Sequence, residues 1–223
     1  YRVWHDACHL DDALMAPTDF NHFDGYIQGP STLCNHKPFE HIKGLNEGGW
    51  HDAGDYDLRV ESQMGEVSLL SMMIEEFDLY YDATTVDWEN RIVEIHQPDG
   101  VNDVVQQIEH GLRSVLGAYR SLGRLYRGII CPTLRQYAML GDGAAMTDNL
   151  RWNNTMPLEK RDDRLVFTEN NPYRECKVGA GLAVASRALA KYNRELSAEC
   201  LETALALWEK SGKNASSNDA KIE

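Results

Sequence analysis

Two stretches of helical period, about 176–191 and about 195–211, are separated only by Tyr192-Asn193-Arg194. So short a connection folds them back on each other as an antiparallel αα-hairpin. The first run is rich in small residues (Gly179, Ala180, Gly181, Ala183, Ala185), which allows close helix approach. Ala180, Val184, Ala188 and Leu189 are expected to face inward from it, and Leu196, Cys200, Ala204, Leu207 and Trp208 from its partner. Met64, Val67, Leu70, Ile74 and Phe77 predict another helix over about 60–81, with Met72 and Met73 as core. Val104, Ile108, Leu112, Val115, Leu116, Tyr119 and Leu122 predict one after Gly100, capped by Asn102 or Asp103. Residues 1–57 and 126–175 hold many Gly, Pro, Asn and Asp and no sustained period, and no two-residue alternation is convincing. The expectation is one mainly α domain over 1–223: a loop-rich segment at 1–57, helical hairpins over 58–211, and a polar tail over 212–223.

Among 223 residues, 22 Lys and Arg face 35 Asp and Glu, a net charge of −13. Nucleic acids and anionic membranes need basic patches, so neither is an expected partner. A neutral substrate is unaffected by that charge. No apolar stretch approaches the roughly 18 residues of a membrane span. The five cysteines, at irregular spacing, do not suggest a disulfide framework. The chain starts at Tyr1 rather than Met and reads as processed or truncated, and an upstream segment could have held a signal, which leaves localisation open. The expectation is a secreted or periplasmic location, with a cytoplasmic one possible.

The most informative segment is Gly48-Gly49-Trp50-His51-Asp52-Ala53-Gly54-Asp55-Tyr56-Asp57. Asp52 and Asp55 are separated by two small residues that let the backbone turn tightly. Two carboxylates converging on one volume can hold a water and remove its proton. Trp50 and Tyr56 flank them, and aromatic faces beside acids suit a sugar ring. The same spacing also fits an Asp-rich turn that caps a following helix, or a calcium loop using Asp52, Asp55 and Asp57.

Gly49 to Tyr56 resembles the signature loop of glycoside hydrolase family 9, Gly-Gly-Trp-(Tyr/His)-Asp-Ala-Gly-Asp-(Tyr/His). Ala7-Cys8-His9, the helix Asn102 to Leu112 and the hairpin Gly179 to Trp208 are similar to further elements of that family, in the same order. The resemblance implies an (α/α)6 barrel of helical hairpins, present here only in part, that cleaves β-1,4-glucosidic bonds with inversion. It implies Asp55 as general base and Asp52 as its partner in orienting the attacking water. The general acid, a late Glu, would lie outside this chain, so the chain alone is expected to be inactive. The resemblance also implies a structural zinc, for which Cys8, His9 and His51 match three of four ligands. No organic cofactor is expected, and the partner is a polysaccharide or oligosaccharide bound by a monomer.

Two other readings stay open. An exo-acting β-glucosaminidase on chitosan-type oligosaccharides would use the same loop, with the stretch Phe23 to Asn46 blocking one end of the groove. A non-catalytic carbohydrate-binding helical domain would keep the fold without the acid. Trp152, Asn153 and Asn154 are weaker candidates for a sugar groove, and Asn153-Asn154-Thr155 and Asn214-Ala215-Ser216 fit glycosylation sequons.

Overall fold

The computed structural model describes residues 9–11, 13–18, 20–32, 34–52, 55–90, 92–133, 150, 157 and 162–212. Cys8, Trp152 to Thr155 and the tail from 213 onward lie outside the described residues. The elements in chain order are β1 (Leu14–Met15), a 3-10 turn (Pro30–Thr32), β2 (Leu58–Arg59), α1 (Val60–Phe77), β3 (Thr84–Asp87), β4 (Ile92–Ile95), α2 (Asp103–Leu122), β5 (Tyr126–Ile130), β6 (Leu165–Thr168), α3 (Pro172–Leu189) and α4 (Arg194–Leu207), the last continued by a π-helical turn (Trp208–Gly212). The chain divides into two compact units, Tyr1–Ser62 with Gly117–Asn170, and Gln63–Leu116 with Asn171–Glu223.

The first unit is built on a four-stranded sheet in the order β1-β6-β5-β2. Strand β1 runs parallel to β6, and β5 lies antiparallel to both β6 and β2. This sheet forms although the sequence shows no convincing two-residue alternation. β5 and β6 are buried almost throughout, so no polar alternation betrays them, and β1 and β2 are only two residues long. Leu14, Ala16, Tyr26, Ile130, Leu165 and Phe167 form the core, with Phe20 against it. The long loop before β2 is tied down by polar bonds. The buried Gln28 amide accepts from the Thr168 backbone at 2.8 Å and donates to Thr32 Oγ1 at 2.7 Å. At the last turns of α2, Gly117 meets the Gly44 turn so closely that a Cβ would stand 2.5 Å from the Gly44 carbonyl oxygen.

The second unit holds the helical hairpin. Asn171 caps α3, its side chain accepting from the Arg174 amide, and Pro172 takes the first helical position. That Asn-Pro signal starts the helix four residues before the expected boundary. Asn193 caps α4 in the same way, through the Leu196 amide. The hairpin is close-packed: Ser197 Oγ donates to the Ser186 carbonyl at 2.7 Å, and a Cβ on Gly179 would lie 3.4 Å from the Ala204 carbonyl oxygen. Gly181 sits against α1, where a Cβ would meet Ser68 Oγ at 2.6 Å. Asn102 caps α2 by accepting from the Val104 amide, while Asp103 accepts from Ala83 and Thr84. Trp88, in the turn between β3 and β4, packs against the His110 ring and the Arg113 guanidinium of α2.

Val67, Ile74, Ile108, Leu112, Val115, Cys200, Ala204 and Leu207 are buried as their period predicts. Met72, Met73, Phe77, Ala180 and Trp208 are exposed, against expectation. The inward stripe of α1 is Met64, Val67, Ser71 and Ile74, which leaves the Met pair on another face. α1 also stops at Phe77, short of residue 81, where Asp78 turns to φ 47°.

Candidate active site

The acidic turn enters the first unit immediately before β2. The Asp52 amide donates to the Asp57 carbonyl at 3.0 Å and the Asp55 amide to the Asp52 carbonyl at 3.1 Å. The Asp57 amide donates to Asp55 Oδ1 at 3.0 Å. This last bond is the two-residue Asx contact that favours Asp in turns. Ala53 and Gly54, between the acids, lie outside the described residues. Asp52 has 29% of its side chain exposed and Asp55 is half-buried, whereas Asp57 points inward with none. Two carboxylates thus remain within reach of solvent, with a third behind them.

Arg59 of β2 is the cation of this turn. Its Nε lies 3.2 Å from Asp52 Oδ2 and its Nη2 3.5 Å from Asp57 Oδ2. The ladder places it, since Arg59 pairs with Gly128 and Leu58 with Ile129. A Cβ at Gly128 would stand 2.6 Å from Tyr26 Cε1, so any side chain there would force the Tyr26 ring to shift. The Tyr26 ring is buried against Phe167, with the Arg127 guanidinium 4.5 Å from its centroid. On another side, the buried Arg164 donates to the Tyr56 carbonyl at 3.1 Å and so ties the turn to the start of β6.

Burial raises the proton affinity of Asp55 and Asp57. Asp57 is pushed up to about 7 by burial first and the Asp55 charge second, with Arg59 opposing. Asp55 is raised in the same direction, again chiefly by burial, because the Asp57 amide offsets only part of it. The turn's hydrogen bonds therefore do not hold Asp55 down as their presence alone would suggest. A raised carboxylate is a stronger base whenever it is ionised.

The aromatic neighbours are placed differently from one another. Trp50 is half-buried. Tyr56 is buried, 3% exposed, with its ring 4.9 Å from His9 and 5.2 Å from His51. It packs behind the turn and offers no open face to a sugar. His9 and His51 themselves meet edge to face at 5.5 Å. Around a tetrahedral zinc with Zn–N near 2 Å, two imidazole centroids stand roughly 5 Å apart, so the separation of this pair is compatible with two ligands of one ion. Cys8 lies outside the described residues, and no group of three or more metal-ligating side chains is present among the described residues. The residues that sequence reasoning missed are Arg59, Arg164 and Tyr26. Each reaches the turn from a different strand or loop, so no local pattern marks it.

The family model described as Glycosyl hydrolase family 9 matches residues 2–222. The chain belongs to glycosyl hydrolase family 9. Among solved structures this family 9 chain is similar to a metagenome-derived glycoside hydrolase family 9 endoglucanase, at 21% identity and TM-score 0.55, over 93% of this chain and 34% of that one. It is also similar to a single mutant of a thermostable endoglucanase from Alicyclobacillus acidocaldarius (16% identity, TM-score 0.56, 95% of this chain and 32% of that one). An endoglucanase from the termite Nasutitermes takasagoensis follows (13% identity, TM-score 0.52, 96% and 43%). At these identities the likeness is one of fold. The family 9 chain spans less than half the length of each of these relatives. No curated protein matches it. No helix among its described residues is long and apolar enough to cross a membrane.

Proposed function

We propose that this chain supplies the water-activating half of a glycoside hydrolase site acting on a β-1,4-glucan. The observation that carries the reading is the closed turn that leaves Asp52 and Asp55 open to solvent while Asp57 is turned inward. Asp55 is the general base. Its oxygens take the proton of a water, whose oxygen attacks the anomeric carbon from the face opposite the leaving group. Asp52 accepts the water's second hydrogen and fixes its direction. An inverting enzyme holds base and acid about 6.5–9.5 Å apart to leave room for that water. The acid that protonates the leaving oxygen comes from a segment beyond this chain, in keeping with the greater length of the solved relatives. The half-buried Trp50 is the aromatic residue of the loop with surface left for a sugar ring.

Inversion gives the experiment its signature. In the whole enzyme, proton NMR within the first minutes of cello-oligosaccharide cleavage shows the α-anomer of the new reducing end, and Asp55→Asn abolishes cleavage. Asp55→Asn with undiminished turnover overturns the assignment. The isolated chain, lacking the acid, releases no reducing sugar, and measurable release from it overturns the placement of the acid elsewhere.

A zinc ion belongs to the same proposal. His9 and His51 would hold it together with Cys8, and the ion would pin the acid turn to the N-terminal segment. Metal analysis of chelator-free protein, with and without His51→Ala, tests this, and protein without zinc overturns it.

A further inference from the structure

We infer that Arg59 is a positioning residue of the acidic turn, tying the solvent-exposed Asp52 to the buried Asp57 and so setting the direction of the water-orienting carboxylate. The inference rests on the reading of Asp52 and Asp55 given above, and it goes beyond that reading by naming what holds the pair.

The contacts are those of charge. Arg59 Nε and Nη2 stand 3.2 Å and 3.5 Å from Asp52 Oδ2 and Asp57 Oδ2. Among the described residues neither Asp57 oxygen has a well-formed hydrogen bond, and the Arg59 Nε–H is not aligned for one. A carboxyl with no exposed surface and no well-formed hydrogen bond is costly to ionise. The guanidinium is the cation within reach of it. One arm of Arg59 therefore answers to a fixed, buried anchor, and the other fixes an acid that faces solvent. The backbone closes the loop: the Asp52 amide bonds to the Asp57 carbonyl, so Asp52 is gripped at main chain and side chain from the same side. Arg59 itself has little freedom at its root, because β2 is paired with β5 on one side and passes directly into α1 on the other.

The charged and titratable groups facing this cluster come from three further directions. Asp24 acts on Asp55 and Asp57 from the loop before β2. Arg127 of β5 and Glu61 of α1 act on Tyr26 of that loop, which in turn acts on Arg59. Arg59 opposes the rise of both Asp55 and Asp57. Removing its charge thus has a spectroscopic consequence that loss of packing alone would not give.

The test uses this chain with 13C-labelled aspartate, in wild type and in Arg59→Met and Arg59→Lys. Three-bond couplings to the Asp52 carboxyl carbon report its rotamer, and carboxyl shifts against pH report the Asp55 and Asp57 midpoints. In the wild type Asp52 holds one rotamer. In Arg59→Met it averages over several, and the Asp55 and Asp57 midpoints rise by about 0.5 pH unit or more. Arg59→Lys keeps a point charge and recovers part of both effects, because the contacts are ionic rather than a bidentate fork. If Arg59→Met does not fold, Arg59→Lys decides alone: a partial loss of the single Asp52 rotamer supports the role, and spectra identical to wild type overturn it. Arg59→Met that keeps one Asp52 rotamer and both midpoints also overturns it. These readouts need no substrate, so they separate from the cleavage test. A dead Asp55→Asn enzyme with unmoved spectra removes only the role of Arg59. An active Asp55→Asn enzyme removes the reading of the pair, and the role of Arg59 with it.

Discussion

Replacing Asp57 by Asn will flatten the dependence of folding stability on pH. Asp57 has no exposed surface, and burial followed by the Asp55 charge pushes its carboxyl from 3.8 to about 7. In the unfolded chain it titrates near its ordinary value. Between the two values the folded chain keeps a proton that the unfolded chain has released, so acid favours the fold. The contribution is complete below pH ~4 and is lost as pH rises through ~7. The interval is about three pH units at about 1.4 kcal/mol each, which sets a ceiling of about 4 kcal/mol. At pH 5 about two of those units remain, so Asp57 makes the wild type about 3 kcal/mol more stable there than at pH 8. Asn has nothing to ionise. Urea unfolding of both chains at pH 5 and pH 8 isolates the effect, because titrating groups not coupled to Asp57 cancel in the comparison. The Asp57→Asn chain gains about 2–3 kcal/mol on the wild type between pH 5 and pH 8. Stability curves that run parallel in the two chains refute the reasoning.

Two glycines on helices respond to alanine in opposite directions. Gly117→Ala drives a Cβ to 2.5 Å from the Gly44 carbonyl oxygen and costs about 1–2 kcal/mol after its helix-propensity gain, whereas Gly65, with nothing within 4 Å, gains up to about 1 kcal/mol. Chemical denaturation ranks them, and Gly117→Ala at or above wild-type stability contradicts the close contact. Asn171→Ala removes the cap of α3 and costs about 1 kcal/mol, read as a lower melting temperature. Because burial raises Asp55, and the base must be ionised to work, the acid limb of the whole enzyme's pH–rate profile lies above the ordinary carboxylate range. A limb at or below that range removes Asp55 from the role of base.

The helices were legible because their apolar residues repeat where a buried stripe must. Val67 and Ile74, or Cys200, Ala204 and Leu207, announce a face without any knowledge of what covers it. The strands were not. Leu165 to Thr168 is buried at every position, and a short run that is buried all round carries no period to read. At the site, Asp52 and Asp55 stood out because their spacing is local, and Tyr56 was misplaced for the same reason. An aromatic beside a carboxylate in sequence suggests a platform, but the carbonyl bond from Arg164 and the two histidine rings draw Tyr56 inward. Arg59 lies only two and seven positions from Asp57 and Asp52, but it escaped notice because the direction of its side chain is set by the pairing of β2 with β5, which a local pattern does not show.

That pairing bears on any attempt to move the motif into another scaffold. β2 runs straight from the acidic turn into α1 with no spare residue on either side. Adding one amino acid between Asp57 and Leu58 would slide the two-residue ladder by one place and exchange the faces of its members. Leucine would then sit beneath the carboxylates, and the guanidinium would be driven into the greasy interior. A graft of the eight-residue signature alone would carry the acids without their counterion, so the smallest transplantable piece is the turn together with its ladder partner, glycine opposite included.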